Sequence, residues 1–345
     1  MGTDGFEFVE YAAPEPQMLR DLFERLGFPA VARHRSRDIT LHRQGDINFL
    51  INADPAGPAA DFAREHGPSA ASMAFRVRDA AAAHARALEL GATDASADGL
   101  GFPAIEGIGG SRLYLVDRYG AAGDAYADSF DFMPGHVEAM AQATSYLTYL
   151  DHLTHNVRRG RMSHWADFYE RLFDFREIRY FDIEGKVTGL FSKAMTSPCG
   201  KIRIPLNESQ DDKSQIEEFL RLYNGEGIQH IALGTTDIYA SVDILAARGI
   251  PFQDTPDSYY DLLDARVAGH GEPLDQLKQR RILVDGAPTE GQGLLLQIFT
   301  REVIGPIFYE LIQRKGNEGF GEGNFKALFE SIELDQIRRG VISAD

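Results

Sequence analysis

Thiol chemistry is almost missing from this 345-residue chain, in which Cys199 is the one cysteine. That excludes an internal disulfide and any thiolate-rich metal site. Long apolar runs are missing too. None approaches the roughly 20 residues that cross a bilayer, so no membrane partner is expected. The first residues, Met1 to Phe6, carry neither a basic region nor an apolar signal core, and the expected location is the cytoplasm. Positive charge is in short supply. Lys and Arg number 35 against 52 Asp and Glu, leaving a formal charge of −17. This argues against nucleic acid as a partner, because phosphate binding needs neutralising cations. Solubility is the first use of such acidity. A small anionic substrate stays compatible with it wherever a bound divalent cation sets the local field.

What the chain does have is a 43% hydrophobic content, enough for the cores of two ordinary domains. It also repeats itself by quarters. Asp21-Leu-Phe-Glu-Arg-Leu-Gly-Phe28 in the first quarter returns as Asp167-Phe-Tyr-Glu-Arg-Leu-Phe-Asp-Phe175 in the third. Met18, Leu19, Leu22, Phe23 and Leu26 follow helical spacing, as do Trp165, Phe168, Tyr169, Leu172 and Phe173. The second and fourth quarters each read strand, aspartate, helix, glycine. Asp79 leads to Gly91 and Asp237 to Gly249, both intervals being 12 residues (91 − 79 and 249 − 237), with Asp as N-cap and Gly as the C′ residue. Short alternating strands are expected at Asp38–His42, Ile47–Asn52, Arg112–Val116, Glu177–Phe181, Lys201–Pro205 and Gly293–Thr300. A helix followed by several strands, four times over, predicts an α+β fold of paired modules rather than alternating parallel units. The expected division is a domain over 1–133, a connection over 134–147, a second domain over 148–315, and a tail over 316–345 whose helix is capped by Asn324.

Three polar residues stand inside short apolar runs: His152, His230 and Glu310. Their separations are nearly equal, 230 − 152 = 78 and 310 − 230 = 80, as if successive units delivered them to one point. Two imidazoles and one carboxylate with open positions form the ligand set of non-heme Fe(II) oxygenases. A buried ionised carboxylate is costly unless paired or metal-bound, and Glu310 lies among Ile307, Phe308, Tyr309, Leu311 and Ile312. His155 competes with His152. Three apart on a strand, the two face opposite ways, and spacing alone leaves the choice open. Superposing Asp79 on Asp237 puts Ser72 where the second half has His230, and no histidine precedes His34, so the chemistry is expected in the second half. Gln297 and Phe299 share one strand face, as do Pro205 and Asn207, which suits an aromatic ring bearing a polar group. Gly319-Phe-Gly-Glu-Gly-Asn-Phe325 lacks the Gly-Lys-Ser/Thr ending of a phosphate loop. It reads as a hinge that lets the last helix close over the pocket.

The strings Asp151-His-Leu-Thr-His-Asn-Val157, Pro205-Leu-Asn-Glu208, Gly227-Ile-Gln-His-Ile-Ala-Leu233, Gln297-Ile-Phe299, Phe308-Tyr-Glu-Leu-Ile-Gln-Arg314 and Gly319 to Phe329 resemble the 4-hydroxyphenylpyruvate dioxygenase family. The resemblance spans nearly the whole chain and is most specific in the second half. It implies a vicinal-oxygen-chelate (glyoxalase/bleomycin-resistance-like) fold, with two domains of paired βαβββ modules, each an open barrel, the first metal-free and the second holding Fe(II). Position by position it implies His152, His230 and Glu310 as ligands, choosing His152 over His155. The implied substrate pocket comprises Ser192, Pro205, Asn207, Gln215, Gln229, Gln297, Phe299, Phe308, Phe320, Asn324 and Phe325. Gln229 needs a local distortion, because a regular pleat turns it away from the face of His230. The implied partners are 4-hydroxyphenylpyruvate and O2, giving homogentisate and CO2 in tyrosine and phenylalanine catabolism, within a homodimer or homotetramer. 4-Hydroxymandelate synthase is the alternative. An extradiol dioxygenase or a non-enzymatic module of the same superfamily stands further off.

Overall fold

A computed structural model describes residues 1–184, 189–212, 214–324 and 326–327, with the backbone alone for residues 183 and 184. The repeat seen in the sequence unfolds into four modules. The first comprises β1 (Thr3–Ala12), α1 (Gln17–Leu26), β2 (Ala30–His34), β3 (Ile39–Gln44) and β4 (Ile47–Asn52). After α2 (Pro58–His66) the second comprises β5 (Ser69–Val77), α3 (Ala80–Glu89), β6 (Ala104–Glu106) and β7 (Arg112–Val116), with β8 (Phe130–Phe132) appended. Helix α4 (His136–Ala143) joins the halves. The third comprises β9 (Leu147–Val157), α5 (Met162–Phe173), β10 (Arg176–Glu184), β11 (Gly189–Thr196) and β12 (Arg203–Ser209), followed by α6 (Gln215–Leu222). The fourth begins with β13 (Gly227–Thr235) and α7 (Ile238–Ala247). Short helices α8 (Asp257–Asp261), α9 (Leu263–Arg266) and α10 (Leu274–Arg280) follow, then β14 (Leu283–Gly286), β15 (Leu294–Phe299) and β16 (Phe308–Lys315).

The strands form two eight-stranded sheets, ordered β6-β7-β5-β1-β4-β3-β2-β8 and β10-β11-β12-β9-β13-β16-β15-β14. Read in opposite directions, the orders coincide except at the edges, where β8 flanks β2 in one and β14 flanks β15 in the other. The expected aspartate caps are present. Asp79 accepts from the Ala82 amide and Asp237 from the Ala240 amide, each satisfying a free N–H of the first turn. Helices α1 and α5 bury most of the stripes read from the sequence, Leu19, Leu22, Phe23 and Leu26 in one and Trp165, Tyr169, Leu172 and Phe173 in the other, with Met18 and Phe168 partly buried at their edges.

Some expectations need correction. Strands Ile47–Asn52 and Arg112–Val116 stand as read, whereas the other four end elsewhere, the largest change being β12, which runs on to Ser209. Strand ends follow the pairing partner, here β11 across to Leu190, which alternation does not report. The connection 134–147 is mostly helical, and Ser145 docks into the first half, its hydroxyl donating to Leu26 O at 2.8 Å. Asn324 is not a helix cap, because the helical turn already occupies 322–324 and its amide has other partners. Residues 328–345, with Leu328, Phe329 and Ile332 of the expected closing stripe, lie outside the described residues.

One continuous core runs through both halves. Phe75 of β5 packs edge-on to Phe173 and stacks with Phe175, at ring-centroid distances of 5.2 and 5.9 Å. Tyr309 of β16 donates its hydroxyl to Tyr11 of β1 at 2.9 Å, both rings fully buried. The two halves touch closely at Gly109, in the turn between β6 and β7, whose φ is +61° and where a Cβ would come within 2.0 Å of Glu226 O, just before β13. Among the described residues no helix is long and apolar enough to cross a membrane.

Candidate metal centre

Three strands of the second sheet deliver the candidate ligands. His152 lies on β9, His230 on β13 and Glu310 on β16, and β13 is the strand between the other two. Parallel pairing of β13 with β16 sets Ala232 opposite Glu310, while antiparallel pairing with β9 sets the same Ala232 opposite His152. The small Ala232 thus leaves the two ligands flanking it, and His230 is two residues back on the same face. Glu310 Oε2 lies 3.2 Å from His152 Nε2 and 3.4 Å from His230 Nε2. One ligand atom from each of the three falls within 4.8 Å of the others. His155 faces the other way, its Nε2 2.7 Å from the Tyr169 hydroxyl of α5.

Two β-bulges shape this group. Between Ala232 and Leu233 the partner strand advances from His152 to Leu150, so Asp151 is an extra residue on β9. Between Ile228 and His230 the extra residue is Gln229 on β13. A bulge breaks the alternation of side chains and re-aims them. Each extra residue consequently meets the histidine that follows it: His152 Nδ1 is 2.8 Å from Asp151 Oδ1, and His230 Nδ1 is 3.1 Å from Gln229 Oε1. The distortion required for Gln229 is there, and it turns the amide onto the ligand histidine. Nδ1 of each ring is thus turned to the oxygen of its bulge residue and Nε2 to Glu310.

The electrostatics follow from burial and these contacts. Burial opposes ionisation of Glu310, but the neighbouring His152 charge and hydrogen bonds from both histidines outweigh it and hold the carboxyl below its usual range. For His152 burial acts downward, and Glu310 and Asp151 together carry it above its usual value. In His230 burial prevails and lowers it. Burial also disfavours the Asp151 carboxylate, yet the Arg314 and His152 hydrogen bonds keep it far below the carboxylate range.

The remaining expected residues divide into those gathered around this group and those set apart. Phe308 stacks on His230 at 4.9 Å, Phe299 stands edge-on to both, and Phe320 stands edge-on to His152 at 5.4 Å. Gln297 donates to Glu310 Oε1 at 3.3 Å and accepts from Asn324 at 3.0 Å, while Asn324 accepts from the Tyr259 hydroxyl at 2.6 Å. Gly321 passes so near that a Cβ there would lie 1.6 Å from Gln297 Oε1. Ser192, Asn207 and Asn156 form a row across β11, β12 and β9, and Pro205 is two residues from Asn207 on the same face. Gln215 is exposed on the first turn of α6 and, among the described residues, joins none of these contacts. Phe325 lies outside the described residues.

Sequence reasoning missed four groups. Asp151 and Arg314 are bound to one another behind His152. The Thr154 hydroxyl lies 2.9 Å from His230 Nε2. Asn156 is fully buried, and neither of its amide atoms has a partner among the described residues. Thr154 and Asn156 were discoverable, since both follow His152 at intervals of two along one strand.

The donor set suits a divalent metal: two imidazoles presenting Nε2 and one buried carboxylate, with the far nitrogens already committed. The fold and the site define a member of the vicinal-oxygen-chelate class. Residues 149–265 match the description Glyoxalase/Bleomycin resistance protein/Dioxygenase superfamily, and residues 1–132 match Hydroxyphenylpyruvate dioxygenase, HPPD, N-terminal. A 4-hydroxyphenylpyruvate dioxygenase from Pseudomonas aeruginosa is 60% identical, over 99% of this chain and 97% of that one. A Vibrio vulnificus protein named hemolysin VllY is 61% identical, over 99% and 98%. Among solved structures, a mutant of 4-hydroxymandelate synthase from Streptomyces coelicolor superposes with a TM-score of 0.80 at 30% identity, over 97% of this chain and 99% of that one. The chain belongs to the 4-hydroxyphenylpyruvate dioxygenase family.

Proposed function

We propose that this protein is an Fe(II)- and O2-dependent dioxygenase that converts 4-hydroxyphenylpyruvate to homogentisate and CO2, a step in the breakdown of tyrosine and phenylalanine. The observation that carries the reading is the meeting of His152, His230 and Glu310, from three strands, around one buried point. Membership of the family supplies the substrate. His152, His230 and Glu310 would hold the ferrous ion. When bound, that ion supplies sites for a 2-oxo acid and for dioxygen, together with the redox chemistry joining them.

The chain's own residues bind and orient. Phe299, Phe308 and Phe320 form an aromatic wall beside the ligands, against which the substrate ring would pack. Gln297 holds Glu310 and is itself held by Asn324, so the carboxylate keeps one orientation. Asn207, Ser192 and Asn156 would present amide and hydroxyl groups to the polar ends of the substrate, and Pro205 would shape the wall between them. Gln229 serves through His230. Gln215 and Phe325 would complete the pocket. A cytoplasmic homodimer or homotetramer is the expected form.

Product analysis after anaerobic loading with Fe(II) and exposure to O2 tests this directly. Homogentisate supports the proposal. 4-Hydroxymandelate would replace it with the synthase activity, which shares substrate and metal but oxidises the benzylic carbon. Absence of oxygen uptake would point to a binding module.

A further inference from the structure

We propose that the buried Asp151–Arg314 ion pair is a positioning strut: it fixes the His152 imidazole for metal binding and fastens the glycine-rich segment 316–321 to that same ligand. Metal binding and ordering of the segment then support one another. The inference rests on the reading that His152, His230 and Glu310 hold a divalent metal.

Asp151 has no exposed surface, so its charge needs partners close by. It has them on both oxygens. Oδ1 accepts from His152 Nδ1 and from Arg314 Nη2, each at 2.8 Å, and Oδ2 accepts from Arg314 Nε at 2.7 Å. Arg203 Nη1 adds a fourth positive contact at 3.6 Å. The paired Arg314 bonds leave the carboxylate no freedom to rotate, and the carboxylate in turn leaves the imidazole none. The bulge at Asp151 makes this possible, because on a regular pleat neighbouring residues point to opposite faces.

Arg314 has one donor group left, and it reaches forward. Nη1 donates to Asn317 O at 3.0 Å and to Gly319 O at 2.8 Å. The guanidinium also lies 5.9 Å from the ring centroid of Phe320, the ring set edge-on to His152. Arg203 grips the same segment through Glu318. Two arginines anchored on one aspartate therefore hold residues 317–320 against the back of a metal ligand. Among the described residues the other histidine has no such backing: His230 Nδ1 meets the neutral amide of Gln229. An outer partner of this kind raises metal affinity by orienting the ring and fixing its tautomer. By linkage, whatever factor metal binding adds to ordering of the segment, ordering of the segment adds to metal affinity.

Two variants of the full chain test the strut. Arg314→Lys keeps the charge but loses the planar fork. The double variant Asp151→Asn/Arg314→Gln removes both charges together, so no unpaired ion is left buried to unfold the chain. Anaerobic Co(II) titration, followed by the visible absorption of the bound ion, reads affinity and ligand geometry. Cleavage at Glu318 by a glutamate-specific protease, with and without Co(II), reads the segment. The wild type should bind Co(II) and gain protection at Glu318. The double variant should bind about 10- to 100-fold more weakly, show a shifted absorption band and lose the protection, with Arg314→Lys between the two. Wild-type affinity and spectrum in the double variant would overturn the strut while leaving the metal site intact. Weakened affinity with undiminished protection would overturn the coupling. Failure of the wild type itself to bind Co(II) would remove both this inference and the reading beneath it.

Discussion

The two barrels use one plan and arrive at opposite interiors. The pairing of β5 with β7 matches that of β13 with β16, and the pairing of β1 with β5 matches that of β9 with β13. On that register Phe8, Ser72 and Tyr114 occupy the places of His152, His230 and Glu310. Phe8 and Tyr114 bring their rings to 5.7 Å within a buried apolar cluster, and Ser72 donates to Glu10 rather than facing a ligand set. Even the bulges recur: Glu7 is the extra residue where the second barrel has Asp151, and Ala71 where it has Gln229. Glu7 has no histidine to serve and pairs with Arg76 at 2.6 Å. Its burial raises the carboxyl above its usual range despite that arginine, whereas Asp151 is held far below. The backbone distortion thus belongs to the fold, and the side chains placed on it decide whether it supports chemistry.

The sharpest way to break the comparison is to remove a ligand. Glu310→Ala or His230→Ala should lower metal retention and turnover by more than about 100-fold, beyond the loss typical of outer partners, with circular dichroism little changed. Wild-type activity in either variant would end the assignment. The mirror experiment is Phe8→Ala, which should cost about 3–5 kcal/mol of stability as a core truncation and leave Co(II) affinity alone. A metal defect in that variant would show that the first barrel is not merely a packed scaffold. Gly321→Ala sharpens the site itself. Its φ of +75° and the close approach of Gln297 both oppose a Cβ, so Gln297 should be driven off Glu310. A penalty of about 1–3 kcal/mol is expected, read as lost stability and a lower kcat with metal still bound.

Acid should affect both barrels through buried neutral histidines. Burial lowers His42 to about 4 in the first and His155 to about 3 in the second. Unfolded, both would take a proton near their ordinary value of 6.5. Between about pH 6.5 and those lowered values the unfolded chain binds more protons, so stability falls as pH falls. His42→Gln and His155→Gln should each flatten that slope in urea titrations; an unchanged slope would exclude the residue. Metal retention has its own acid limb. His152 is raised by Glu310 and Asp151, so protons compete for its Nε2 once pH falls below that raised value.

Much of this was legible in the sequence, for definite reasons. The Asp79 and Asp237 caps and the two helical stripes are local signals, and they carried the fourfold repeat into the fold. The ligand trio was legible because each member is polar in an apolar strand. His152 against His155 was not settled by spacing, since alternation says only that the two face apart. The bulges were hidden because β9 and β13 are buried on both faces, so a break in alternation leaves no mark on their hydrophobic pattern, and the roles of Asp151 and Gln229 were hidden with them. Arg314 was visible as a basic residue near Glu310, but its partner lies 163 positions away. The site is assembled by pairing of distant strands, which a single sequence does not display.

The ferrous ion proposed for the second barrel can be counted directly. Anaerobic titration of the full chain with Fe(II), with metal quantified after gel filtration, should give one ion per chain for the wild type and for Phe8→Ala, and none for Glu310→Ala. Retention of a full equivalent by Glu310→Ala, or its loss from Phe8→Ala while that variant stays folded, would contradict the proposal.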